Sequence, residues 1–365
     1  MLVTTKLAKN ISVEHLIKLW AARYVPDLST LSLQTERLAV SDLVAAASPE
    51  GRSQTVAKLK RIVEIHCKCA GIQTSVLFCY IPNIVNLSES QGIAKSAGQV
   101  YEKVLSVYQQ QSVTPAFLAA LSQADTVDLS SNASMSLMKL GLEPSVVKQL
   151  ATAVEPALEQ FQKQHLSSVD RRALGFMSTQ FHLSAKLLLD RLTLPEQLLV
   201  SPYFKFIEEQ VCIPWQRICA AATKYPADSP TLALVAQLLP KSSEIASIVY
   251  QQATQLFPNH RSHRGELLNP RVKASSLRDI EMFQAYLWLC VLEQSMAAVE
   301  QELHPLCAMV YPSVGVTWEL VDQMLKGLVD EIFARLGPES QRFLLPYTST
   351  MQQLFSHQFK AADFS

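Results

Sequence analysis

The sequence predicts an all-α protein, and three observations carry that reading. Apolar residues recur at helical spacing along most of the chain. Glycine is scarce, 10 of 365 residues, while 18 prolines punctuate the periodic segments. Hydrophobic residues make up 48% and charged residues only 18%, against roughly 25% charged in ordinary soluble domains. That apolar fraction excludes a disordered chain. So few glycines leave little material for a phosphate-cradling loop or a hairpin-dense β fold. The 32 Lys and Arg balance 32 Asp and Glu, so no long-range field draws a polyanion and no nucleic-acid partner is expected. At about 150 residues per domain the length divides in two. We place a helical domain of unassigned role at 1–180 and a second helical domain at 181–365.

The elements follow in order. Ser12 can cap a helix through Val13, Leu16, Ile17, Trp20 and Ala21, closed by Pro26. A second helix runs from about Leu33 to Ala47, stopped at Pro49-Glu50-Gly51. A third, Ser53 to Ala70, sets Val56, Leu59, Ile62, Val63 and His66 on one side, with Gly71 as its stop. Thr74 to Ile81 reads as a buried helix or an extended connector. Thr114-Pro115 starts a helix, and the polar stretch Gln123 to Ser134 reads as a long loop. Glu143-Pro144 opens a helix to His165, kinked at Pro156. Asp170 to Leu192 follows, then a helical region punctuated by Pro195, Pro202 and Pro214. Further helices are expected near 228–239, 241–257, 274–303, 317–336 and 338–360.

No uninterrupted apolar run reaches the length of a membrane span, so no transmembrane helix is expected. Met1 to Asn10 lacks the apolar stretch of a signal peptide. The seven cysteines are odd in number and scattered. They read as buried, reduced thiols of a cytosolic protein.

Few residues suggest chemistry. His66-Cys67-Lys68-Cys69 invites a metal reading, but only His66 and Cys69 share a helix face and no second pair completes four ligands. His260, Arg261, His263, Arg264, Arg271 and Lys273 concentrate positive charge in one segment. It reads either as a solvated loop or as a site for a small anion, with Arg278 on the next helix. Glu208 and Glu209 are adjacent and diverge on a helix, and His182 and His304 sit in apolar helices. No nucleophile elbow, HExxH or phosphate loop is present. Enzymatic activity is not expected.

The segment Ala274-Ser275-Ser276-Leu277-Arg278-Asp279-Ile280-Glu281-Met282-Phe283 resembles the chromophore helix of phycobiliproteins, which opens with Cys-Leu-Arg-Asp. Tyr286 stands where that family places an aromatic, and Val314-Gly315-Val316-Thr317 matches its Leu-Gly-x-Pro turn. Upstream, Ala236-Gln237-x-Leu239, Ile248-Val249 and Leu256-Phe257-Pro258 follow its preceding helices. The resemblance covers roughly 228–360 and implies a globin-like helical fold for the C-terminal domain. It implies that Asp279 accepts from the pyrrole nitrogens of an open-chain tetrapyrrole. Arg278, Arg271 and Lys273 would then pair with its propionates. Two departures stand out. Ser276 replaces the attachment Cys, and Ser cannot form the thioether. Gln294-Ser295 replaces the Gly-Asp that ends this helix's apolar stretch. The Arg278-Asp279 pair also has a purely structural reading, as a helix cap and local ion pair.

The resemblance therefore implies a phycobilisome-related, non-enzymatic role in assembly, regulation, docking or non-covalent bilin binding. Recognition would run through helix faces, with Phe204 to Ile207 and Val211 to Ala222 as candidate contact surfaces. Expected partners are phycobiliproteins or other phycobilisome components, with a homodimer as a further option. The expected location is the cytoplasm or the cytoplasmic face of thylakoids. A globin-like stress or signalling module is the alternative, and a bilin lyase or detachment factor ranks third.

Overall fold

A computed structural model describes residues 11–26, 37–79, 85–112, 126–128, 141–165, 173–263 and 265–362. The expected Ser12 cap, the Thr114-Pro115 helix start and the ends of the 123–134 loop lie outside the described residues or side chains. The described chain is helical almost throughout, with four strands of two or three residues. It forms two compact units: one is Ala21–Val211, and the other is Cys212–Ser365 joined by the N-terminal segment up to Trp20. The chain passes between these units at 20–21 and 211–212, whereas the sequence predicts one boundary at 180–181.

In the first unit, β1 (Arg37–Ala39) pairs antiparallel with β2 (Thr126–Asp128), Leu38 opposite Val127. The expected loop therefore contains a ladder. Helices α2 (Val40–Ala47), α3 (Pro49–Leu77), α4 (Leu87–Gln110), α5 (Pro144–His165), α6 (Ala173–Leu189) and α7 (Leu194–Cys212) follow. Helix α2 ends at Ala47 as expected, but Pro49 is no stop turn: it starts the next helix. It sits in the first turn of α3, whose N-cap Ser48 accepts from the Gly51 amide at 3.0 Å, the arrangement that satisfies an orphan first-turn donor.

Gly71 is not a stop either, and α3 runs on to Leu77. A Cβ at Gly71 would stand 3.2 Å from Gln180 Oε1 and 3.3 Å from Ala94 Cβ. The glycine permits close helix packing rather than a left-handed turn. Val56, Leu59, Val63, Cys67, Ala70 and Thr74 line the buried face of α3. Aromatic rings join the helices of this unit: Tyr101 meets Phe204 edge-on at 4.9 Å, and Tyr24 meets Phe206 at 5.3 Å.

The second unit holds α1 (Ile11–Ala21, to Trp20), α8 (Trp215–Ala222), α9 (Pro230–Leu238), a 3-10 turn (Leu239–Lys241), α10 (Ser242–Leu256), α11 (Pro270–Glu293), a π turn (Val299–Leu303), α12 (His304–Val314), α13 (Trp318–Phe333) and α14 (Pro338–Ala362). Val13, Leu16, Ile17 and Trp20 are the buried stripe of α1, at the spacing of one helix face. Trp20 lies flat on Trp215 of α8, ring centroids 4.1 Å apart and planes 5° from parallel. Such stacking contributes about 0.5–1.5 kcal/mol beyond the area buried. Arg217, one turn into α8, grips Glu293 at 3.0 and 3.3 Å and Glu302 at 2.6 Å. It ties α8 to the end of α11 and to the π turn.

The helix expected over 274–303 breaks at Gln294, and α12 is a separate helix. Ser295 N–H reaches Cys290 O at 3.0 Å and Gln294 N–H reaches Val291 O at 3.4 Å. With Gln294 at φ 52°, this is a Schellman stop. One stretch among the described residues, 230–256, is long and apolar enough to cross a membrane by length and composition. Half of its apolar window is buried in the fold, and the 3-10 turn interrupts it.

Two expectations need correction. Phe204, Phe206, Ile207, Val211, Trp215, Ile218, Cys219, Ala221 and Ala222 are all buried within the chain. The surfaces proposed for partner contact are consumed by the protein's own cores. Of the cysteines, Cys67, Cys219, Cys290 and Cys307 are buried as expected, but Cys69 and Cys79 are exposed. Cys69 falls on the outward side of α3, opposite its packed face, and Cys79 follows the end of that helix.

Candidate functional site

The site is built around α11. Ahead of it, β3 (Arg261–Ser262) and β4 (Gly265–Glu266) form a two-rung ladder. Tyr250 of α10 donates to the Leu267 carbonyl. Leu267 and Val272 pack with Ala253 and Leu320 into a small apolar cluster. His263 fastens the other side of the loop: its amide reaches Val314 O at 2.8 Å and its Nδ1 donates to Ser313 O at 3.1 Å. That places it against Gly315, which ends α12 at φ 77°. Thr317 then caps α13. The expected Val314-Gly315-Val316-Thr317 turn is therefore a left-handed helix stop followed by an N-cap.

The described cations of the basic segment have separate surroundings. Lys273 lies over the Tyr250 ring, 6.0 Å from its centre, with its ammonium solvent-facing. Arg261 and His263 are exposed, and burial lowers the His260 pKa. Arg264 and the Arg271 side chain lie outside the described set.

Arg278 and Asp279 do come together. Arg278 Nη2 and Asp279 Oδ1 are 3.5 Å apart, with the side chains 30% and 26% exposed. Both face α12. The Tyr311 hydroxyl is pushed well up by burial, with Asp279 adding to the shift and Arg278 opposing it. The Cys307 thiol is raised by burial first and by Asp279 as well. One turn beyond Asp279, Phe283 meets Phe355 at 5.0 Å. His304 and Trp318 approach the same ring at 5.3 and 6.3 Å, and Tyr311 meets Trp318 at 5.9 Å. His304 Nε2 is buried with no hydrogen-bond partner among the described residues, and burial lowers the pKa of this ring. The result is a carboxylate–guanidinium pair at the rim of an aromatic wall. Ser276 sits half-buried on the same helix.

The other sequence candidates resolve into structural pairs. Both nitrogens of His66 are used: Nδ1 donates to Ile62 O at 2.9 Å and Nε2 accepts from Arg191 at 3.2 Å. Among the described residues no group of three or more His, Cys, Asp and Glu could hold a metal. His182 pairs with Glu208 at 3.1 Å, while Glu209 pairs with Arg23 at 3.1 Å. The adjacent carboxylates thus serve different partners.

An all-α, globin-like unit with an Arg-Asp pair on its long central helix is the setting in which the comparison with known proteins falls. Residues 215–357 match the family model for the phycobilisome protein, so the C-terminal part of the chain carries a phycobilisome protein domain. Neither a curated protein nor a solved structure matches the chain.

Proposed function

We propose that this is a non-enzymatic phycobilisome factor, acting at the cytoplasmic face of thylakoids. In this reading its C-terminal unit handles an open-chain tetrapyrrole without a covalent bond and recognises phycobilisome components through helix faces. The observation that carries the reading is the Arg278–Asp279 pair, set against the Tyr311–Trp318 wall inside a phycobilisome protein domain. The residues suit the group. Asp279 supplies a carboxylate, an acceptor matched in kind to pyrrole N–H donors. Arg278 supplies a guanidinium matched to a propionate. A bound tetrapyrrole would bring visible absorption to the unit.

The missing link is the thioether. Ser276 has no thiol, and burial raises the thiols of Cys219, Cys290 and Cys307, that of Cys290 to about 11. A thiol kept protonated is a poor nucleophile. Pigment handling would therefore be reversible, which suits assembly or turnover rather than permanent light harvesting.

Titrating the purified chain with a bilin and recording its visible spectrum tests this. A red-shifted band is expected, weakened about tenfold in apparent affinity by Asp279→Ala and removed by denaturing gel, since no bond is formed. Absence of the band, or a spectrum indifferent to Asp279→Ala, overturns the tetrapyrrole reading. Capture of phycobiliprotein subunits from a phycobilisome-containing lysate tests the partner reading separately.

A further inference from the structure

The helix α3 is apolar on both sides. Its inner face is the packed stripe described above. Its outer face carries Ile65, Cys69, Ile72 and Val76, all exposed, the three large ones at 58%, 65% and 67%. The intervals are four, three and four residues. That is the seam of a coiled coil, in which side chains at these positions interlock with those of a facing helix. The seam runs about 16 Å along the helix at 1.5 Å per residue. A row of exposed β-branched residues in one register marks a contact site, whereas scattered apolar residues on a surface need no explanation.

The charge around the seam says what fits. Arg61 and Lys68 flank it on α3, Lys95 of α4 stands near Glu64, and Arg191 is held beside it by His66. Glu64, bonded to Lys68 at 2.6 Å, is the carboxylate among them. A second copy of the chain would bring these cations against their equals, which opposes pairing. A membrane surface would accept the charge, but interfacial helices insert Trp, Phe or Leu, and the seam has none. A helix with apolar residues at the same spacing and acidic flanks satisfies both the register and the field.

We propose that the outer face of α3 docks an acidic amphipathic helix of a partner protein. The first unit is then the partner-reading half of the molecule, whatever the second unit does with a tetrapyrrole. The substitutions that test it lie on exposed side chains of the full-length chain, and unchanged melting curves establish that they leave the fold intact.

The probe is a fluorescein-labelled three-heptad peptide with Leu at the seam positions and Glu beside them, read by anisotropy. A matched peptide with Lys in place of Glu is the control. The acidic peptide is expected to bind saturably, with affinity falling as salt rises. It should slow alkylation of Cys69 by a maleimide several-fold. Ile72→Gln should weaken binding about tenfold. The double change Arg61→Glu, Lys68→Glu should reverse the preference toward the Lys peptide, a reversal that loss of structure alone cannot produce. Equal binding of the two peptides overturns the proposal. So does a chain that sediments as a dimer dissociated by Ile72→Gln, or one that binds anionic vesicles but neither peptide.

Discussion

Gln294 is the residue at which sequence and geometry disagree most clearly. It occupies the left-handed position of a Schellman stop, φ 52°, where a Cβ costs about 1 kcal/mol and glycine is free of that cost. Its side chain is exposed and reaches the Tyr225 hydroxyl at 3.3 Å, a weak return. Gln294→Gly is therefore expected to raise stability by about 0.5–1 kcal/mol, seen as a melting point higher by a few degrees. A lower melting point would mean that the Tyr225 contact outweighs the strain. Some of the site was legible at this scale. Ser276, Arg278 and Asp279 are close in sequence on one helix, and the structure keeps the last two together. Arg217 was not legible, because its partners Glu293 and Glu302 stand 76 and 85 residues away. No spacing rule connects a lone arginine to acids at that distance. His304 was readable as a histidine in an apolar helix, but its orphaned nitrogen against Phe355 needs three helices to converge.

Among elements, the start of α7 shows how a terminus is fixed and when it fails. Glu196 reaches back to Thr193, which is one arm of a capping box. The Thr193 amide and hydroxyl donate to Glu196 Oε2 at 2.9 and 3.0 Å, while Thr55 and Lys58 of α3 donate to Oε1 at 3.0 and 2.7 Å. Burial pushes the Glu196 pKa up, yet the bonds from Lys58, Thr193 and Thr55 together hold it below the usual carboxylate value of 4.5. A carboxylate lowered in the folded state stabilises fully above its unfolded pKa, and that stabilisation fades as pH falls through the folded one. Glu196→Gln should then cost about 2 kcal/mol at pH 7, with the gap between variant and parent narrowing below about pH 4. Urea titrations at the two pH values measure it, and a cost independent of pH would show that shape rather than charge matters. The status of Gly71 was not readable in the sequence, because a glycine that ends a helix and one that admits a neighbour look alike until the neighbour is placed. Likewise the periodicity runs on across 294–303, so α11 and α12 read as one helix until Gln294 turns the chain.

At the scale of the molecule, the second unit is discontinuous: it takes its first helix from one end of the chain and the rest from beyond residue 211. The all-α class was legible from periodicity and scarce glycine, and the phycobilisome protein domain from its motif series. The discontinuity was not, since α1 looks like any amphipathic helix and nothing local says which core it enters. The stacked Trp20–Trp215 pair predicts its importance. Trp20→Ala should lower stability by about 3–5 kcal/mol and shift the transition reported by Trp215, Trp288 and Trp318 fluorescence. A shift below about 1 kcal/mol would show that α1 is dispensable to its unit. The same arrangement sets an order on biosynthesis. The ribosome delivers α1 first and its Trp215 partner only after about 190 further residues, roughly 10–40 s at ordinary elongation rates. Throughout that interval Val13, Leu16, Ile17 and Trp20 have no unit to enter, because the residues being made are those of the first unit. The nascent chain thus carries an unsatisfied apolar helix ahead of the first unit, a natural handle for a chaperone until the last helices emerge.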